Sequence, residues 1–277
     1  MVMDTKTNHI FKISAIQMVS GMSVADNLDQ AAGLIADAAA DGASLLVLPE
    51  YFCLMGQKDS DKLAICESAG SGPIQEFLAE QARLHGVWLV GGTLPLRSPD
   101  ANRIYNACLV YGPDGSVCAR YDKIHLFSFQ RGAESYDESL VIRPGDNRPQ
   151  AVEMPFGRMG LSICYDLRFP ELFRGLGELD LLVVPAAFTY TTGSVHWEVL
   201  LRARAIENQC YVLASAQGGK HQNGRRTWGH SMLIDPWGEV LGCLPEGPGF
   251  VSAGLDPARI ADVRQALPAL RHRVLVS

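Results

Sequence analysis

Cys164 closes the apolar run Gly160-Leu161-Ser162-Ile163 and stands just ahead of the polar Tyr165-Asp166. A nucleophile suits such a junction, because a strand fixes its backbone while the following turn leaves a backbone N–H free to hold an oxyanion. A thiol also needs a base to take its proton and a positive charge nearby. Glu50 follows the apolar run 45–49, at the carboxyl end of a predicted strand, where open α/β sheets place their ligands. Lys123 ends the predicted strand 117–121, and the apolar Ile124 and Leu126 to Phe127 that follow draw it inward. Taken singly, each residue has a plainer reading: a buried cysteine, a helix cap or surface acid, a solvated turn lysine. If the three converge, burial raises the carboxylate toward a useful base and the lysine charge is expected to pull the thiol pKa down.

Hydrophobic periodicity supplies the elements that must bring them together. Strands are expected at 11–18, 44–48 and 87–93, with helices at 24–40 and from Gly72-Pro73 to Gly86, a helix with proline at its start and glycine past its end. Residues 104–121 read as a hairpin around Gly112-Pro113-Asp114-Gly115. A second pair, 151–154 and 159–165, is followed by a short helix at 170–175, a strand at 181–184, a helix at 195–209, and strands at 211–216, 231–234 and 239–244. Alternating strands and helices mixed with hairpins describe an α/β protein with mixed sheets. Leu45-Leu46-Val47-Leu48-Pro49 is echoed by Leu181-Leu182-Val183-Val184-Pro185, as two similar halves packed sheet to sheet would produce. Nothing in the interior reads as a linker, so one domain over 1–277 is expected, with a core of about 10–256 and a C-terminal helix and tail at 257–277.

Three ordered motifs add a resemblance. Leu48-Pro49-Glu50, the segment Tyr121-Asp122-Lys123-Ile124-His125-Leu126-Phe127 and the segment from Gly160 to Glu171 resemble the Glu, Lys and Cys motifs of the nitrilase superfamily of carbon-nitrogen hydrolases. The stretch 187–235, with Thr191-Thr192-Gly193, His196-Trp197-Glu198 and Gly229-His230-Ser231, is similar to its Nit branch, and most to the amidases of deaminated glutathione. The resemblance implies a four-layer αββα sandwich with two mixed sheets, a homodimer or higher homo-oligomer formed by sheet-to-sheet extension, and hydrolysis of non-peptide amides through a cysteine thioester. It implies Cys164 as nucleophile, Glu50 as general base, and Lys123 with the Tyr165 N–H as oxyanion donors. The family's additional glutamate matches Glu138, ahead of Pro144-Gly145-Asp146, with Glu134 competing for the role. Tyr165-Asp166 after the cysteine favours amides over nitriles. Arg168 matches the branch's carboxylate-binding arginine, whose planar fork suits bidentate pairing; an ion pair with Glu171 is the other reading. Thr192 is a second candidate contact. The substrates implied are deaminated glutathione, cleaved to α-ketoglutarate and Cys-Gly, or α-ketoglutaramate, cleaved by ω-amidases. Ser128 departs from the branch's usual aspartate in a loop that walls the pocket.

Composition narrows the partners. The chain has 277 residues, 47% hydrophobic and 19% charged, with a net charge of −6, which opposes a nucleic-acid or anionic-membrane partner and favours a small carboxylate-bearing amide. The 1–12 segment lacks the apolar core of a signal peptide and 179–188 is too short to span a bilayer, so a cytoplasmic protein is expected. Seven cysteines without CxxC spacing suggest neither a disulfide framework nor zinc. HExxH, dinucleotide, P-loop and Gly-x-Ser-x-Gly patterns are lacking, and neither metal nor cofactor is expected. Lys220, His221, Arg225 and Arg226 read as a solvated loop, with the pocket mouth as the other possibility. A non-catalytic scaffold of the same fold would lack one of the three motif residues, and all three are present.

Overall fold

In the computed structural model, which describes residues 10–132, 134–146 and 148–275, the apolar runs of the first half pair into one sheet. The polar segment 1–9 and the tail residues 276–277 lie outside the described residues. β1 (Phe11–Gln17), β2 (Leu45–Val47) and β3 (Trp88–Val90) are parallel neighbours; β5 (Ile104–Tyr111) runs antiparallel to β3, to β4 (Leu94–Arg97) and to β6 (Val117–Asp122). A small hairpin, β7 (Ser128–Arg131) with β8 (Glu134–Asp137), leads to the second sheet. There β9 (Ala151–Met154), β10 (Gly157–Leu161), β11 (Leu181–Ala186), β12 (Tyr211–Ala216), β15 (Ser231–Ile234) and β16 (Val240–Leu244) lie in sequence order, with β10, β11 and β12 parallel. The ribbon β13 (Gly218–Lys220) and β14 (Arg226–Trp228) projects between β12 and β15, and β17 (Gly249–Leu255) returns to pair with β1 in the first sheet.

Alternation along the strands fixes which side chains face which layer. Ile13, Ala15, Leu45 and Val47 meet Leu161, Val183 and Leu213 of the opposite sheet, whereas Ile16, Leu46 and Leu89 face α1 (Val24–Ala40) and α3 (Pro73–His85), with the single turn α2 (Asp61–Ala64) between those helices in sequence. Helix α1 buries Asn27, Ala31, Ile35 and Ala38 on one stripe, and the Ser23 side chain caps it by accepting from the Asp26 N–H. Helix α3 starts on Pro73 and ends on Gly86 in the left-handed conformation. The outer face of the second sheet carries α5 (Tyr190–Asn208), which packs with α4 (Pro170–Gly175). The layers are thus helix, sheet, sheet, helix, as expected, and the sheets are stitched where Gly218 N–H donates to Met18 O at 2.9 Å and the Ser215 hydroxyl donates to Ile16 O.

Several elements depart from the sequence-based expectation. The strand expected at 159–165 stops at Leu161 and gives way to a 3-10 turn at Cys164–Arg168. Helix α5 begins at Tyr190 rather than 195, capped by Thr189. Its first turn has no apolar stripe to read, because Gly193 lies so close to Trp228 that an added Cβ would be 2.3 Å from that side chain. The strands β4, β7, β8, β13, β14 and β17 have no counterpart in the predicted set.

Candidate active site

Glu50 leaves β2 through a tight turn. Tyr51 takes φ +57° there, with its N–H donating to Thr93 Oγ1 at 2.9 Å, and Gly92, at φ +56°, faces the Pro49 carbonyl, which a Cβ would approach to 2.2 Å. Lys123 follows β6 and is fixed on both sides: its N–H donates to Asn106 O at 3.0 Å and its carbonyl accepts from Gly145 N–H at 2.9 Å. Cys164 opens the 3-10 turn at φ +50°, a left-handed conformation that a non-glycine residue holds only when its surroundings demand it. Asp166 makes that demand. Its Oδ2 accepts from Ile163 N–H at 2.9 Å and Tyr121 OH at 2.8 Å, and its Oδ1 accepts from His125 N–H at 3.1 Å and meets His125 Nδ1 at 2.7 Å. One buried carboxylate therefore ties the cysteine turn to the lysine segment.

The three distant residues converge. The Lys123 ammonium lies 2.8 Å from Glu50 Oε1 and 2.9 Å from Glu138 Oε2, with the Lys123 and Glu50 side chains 0% and 1% exposed. Asn106 Nδ2 also donates to Glu50 Oε1, at 2.9 Å. Glu138 accepts from Tyr51 OH and from Phe127 N–H, each at 2.7 Å. Cys164, Glu50 and Glu138 line one cleft. Of the two competing glutamates, Glu138 reaches Lys123, while Glu134 accepts from Thr191 Oγ1 at 2.8 Å. Tyr51 and Asn106 were not singled out from sequence; a lone asparagine inside the apolar run of β5 was the available signal for the latter.

Burial dominates the electrostatics. It raises the Glu50 pKa against the pull of Lys123. It pushes the Cys164 thiol well up, reinforced by the Glu50 charge, and the opposing lysine does not win. The expected downward pull of the lysine is present but outweighed, so the net thiol pKa is raised rather than lowered: desolvating a thiolate beside two carboxylates costs more than one ammonium returns. Burial also works against charge on Lys123, yet Glu138 and Glu50 together hold its pKa well above the ordinary lysine value. The arrangement is a neutral thiol beside a fixed cation and a carboxylate able to accept its proton.

Arg168 and Thr192 line an adjoining lobe with Cys164, Tyr165 and Phe188. Arg168 Nη1 is 3.2 Å from His196 Nδ1 and its guanidinium lies over the Phe188 and Tyr165 rings; no ion pair joins it to Glu171 among the described residues. Thr192 is buried against Thr189, their hydroxyls 3.0 Å apart. Of Lys220, His221, Arg225 and Arg226, the solvated-loop reading holds for the exposed Lys220 and in part for the half-exposed Arg226, but not for the other two. His221 is buried between Ser20 O and Thr227 Oγ1, at 2.9 and 2.8 Å, and Arg225 and Arg226 line the cleft. Ser128 begins β7, next to the Phe127 wall.

A model of the carbon-nitrogen hydrolase family matches residues 12–265. The chain belongs to the carbon-nitrogen hydrolase family. It is 42% identical over 268 residues to a deaminated glutathione amidase of Synechocystis, covering 95% of this chain and 98% of that one. To the human omega-amidase NIT2 it is 37% identical over 267 residues, with 95% of each chain covered. Its fold matches Saccharomyces cerevisiae Nit3, a member of the nitrilase superfamily, with a TM-score of 0.85 at 29% identity, over 96% of this chain and 97% of that one. This carbon-nitrogen hydrolase acts on amides. Among its described residues no helix is long and apolar enough to cross a membrane, and no group of three or more His, Cys, Asp or Glu residues could hold a metal.

Proposed function

We propose that this hydrolase cleaves deaminated glutathione to α-ketoglutarate and Cys-Gly through a thioester on Cys164. The observation that carries the mechanism is Lys123 held between the Glu50 and Glu138 carboxylates in the cleft that Cys164 opens onto. Glu50 takes the thiol proton as sulfur attacks the amide carbon, and the resulting oxyanion is held by the Lys123 ammonium and the Tyr165 N–H. The proton passes from Glu50 to the leaving nitrogen as the C–N bond breaks, leaving an acyl thioester. Water, deprotonated by Glu50, then attacks that carbon; the C–S bond breaks and the thiol regains its proton. Glu138 keeps Lys123 charged and in place. Arg168, with Thr192, holds the carboxylate of the acyl chain.

The substrate rests on the closer similarity to an amidase of deaminated glutathione. The similarity to an omega-amidase supports α-ketoglutaramate as the second reading. Incubation with each compound, scoring Cys-Gly against ammonia, separates the two. Cys164→Ala is expected to fold with an unchanged melting temperature and to lose turnover entirely; residual activity of even a per cent of wild type removes Cys164 from the role.

We further propose one hydrolase domain over the whole chain, acting in the cytoplasm, where its seven free cysteines suit a reducing compartment. Val195 and Val199, exposed on α5, support a homodimer or higher homo-oligomer.

A further inference from the structure

The cleft has two lobes that share Cys164, Phe127, Ala187 and Thr189; Arg168 lies in one, and Glu50, Arg225 and Arg226 lie in the other. A carbonyl carbon attacked by Sγ carries its acyl chain and its leaving nitrogen in different directions. The nitrogen must come to rest against its proton donor, and Glu50 lines only the arginine-pair lobe. The group on that nitrogen therefore extends toward Arg225 and Arg226, away from Arg168.

We propose that Arg225 and Arg226 form a seat for a carboxylate carried by the leaving amine, so that the preferred substrates are secondary amides with an anionic group at each end. This rests on the proposed thioester chemistry. Arg225 is held by Asp59, Nη1 to Oδ1 at 3.0 Å, with its guanidinium over the Tyr136 ring. Asp59 also faces Lys62 Nζ at 2.8 Å, so this one carboxylate is shared between two cations and does not neutralise Arg225 alone. Arg226 stacks 3.7 Å above the Tyr190 ring, which fixes its guanidinium at the rim. Its acidic partner is Glu246, Nη2 to Oε1 at 2.8 Å, and both side chains are about half exposed. Such a surface pair contributes little, so exchanging Glu246 for a substrate carboxylate costs little. An amide that releases ammonia has nothing to place in this lobe.

The test compares deaminated glutathione with its C-terminal carboxamide, which differs only in lacking the terminal charge. Wild type should prefer the free acid by tenfold or more in kcat/KM, expressed through KM. Arg226→Gln and Arg225→Gln should each shrink that preference to threefold or less, and Arg226→Lys should recover part of it. Wild type that cleaves both compounds equally well, or Gln variants that slow both while keeping the preference, overturns the seat and leaves the proposed function standing. Wild type that cleaves neither compound nor α-ketoglutaramate overturns the proposed function, and the seat with it.

Discussion

Burial is felt by the other thiols too. Cys53, Cys108 and Cys210 are buried, and burial pushes each up to about 12. In the unfolded chain they ionise near the ordinary value of about 8.5, so between there and 12 the folded chain binds more protons than the unfolded one. The stability these thiols confer is complete below pH 8.5 and is lost as pH rises toward 12. At about 1.4 kcal/mol per group per pH unit, three of them remove roughly 4–6 kcal/mol by pH 10. Urea midpoints under reductant should fall sharply from pH 8 to pH 10, and a variant with all three as alanine should fall less; equal losses in the two proteins would contradict the assignment. At this scale the convergence of Cys164, Glu50 and Lys123 was legible, because each ends an apolar run at a place where chemistry is possible. The choice of Glu138 over Glu134 came from the resemblance alone, since four residues of a polar hairpin carry no periodicity to say which carboxylate faces inward.

Elements make the site by ending abruptly. β2, β6 and β10 stop just short of Glu50, Lys123 and Cys164, and the turns that follow are held by buried polar groups more than by apolar packing. Asp166 is the main case, because it satisfies donors from both the lysine segment and the cysteine turn. Asp166→Asn offers a single oxygen to a group of donors that now uses two, and its amide would point at Tyr121 OH and Ile163 N–H or at His125. Stability should drop by roughly 1–3 kcal/mol. Misplacing Lys123 relative to Cys164 by even about an ångström should lower kcat on the order of a hundredfold. A variant with wild-type kcat would show that the tie is dispensable. The long helices α1 and α3 and the strands β11, β12 and β15 were legible because a strong apolar period survives in them. β4 was hidden by Pro95, β7 and β8 by their mostly polar faces, and the start of α5 by the glycine that lets it pack on Trp228.

At the scale of the molecule, the repeated Leu-Leu-Val motif marks β2 and β11, each set between two parallel neighbours in its own sheet. The cleft opens between the two sheets, so Glu50 after β2 faces Ala187 and Thr189 after β11. That correspondence was visible as an echo in sequence; the closure of the first sheet by β17 was not, since its glycines and half-buried residues lack a clean alternation. One surface remains to be covered. Val195 and Val199 on α5 are 63% and 67% exposed, Ile206 continues the same stripe, and Trp237 stands 55% exposed on the adjoining loop, which Arg202 ties to α5 through Gly238 O at 2.9 Å. β16 beside them is the edge of the second sheet, so a second copy packed here would both bury the stripe and continue the layers from one subunit to the next. Light scattering should then give twice the 30.1 kDa chain mass at micromolar concentration. Val199→Glu, which places a charge in the stripe without touching the core, should give the single-chain mass with its own fold intact by circular dichroism. Wild type at the single-chain mass, or a glutamate variant that still pairs, would remove this face from the assembly.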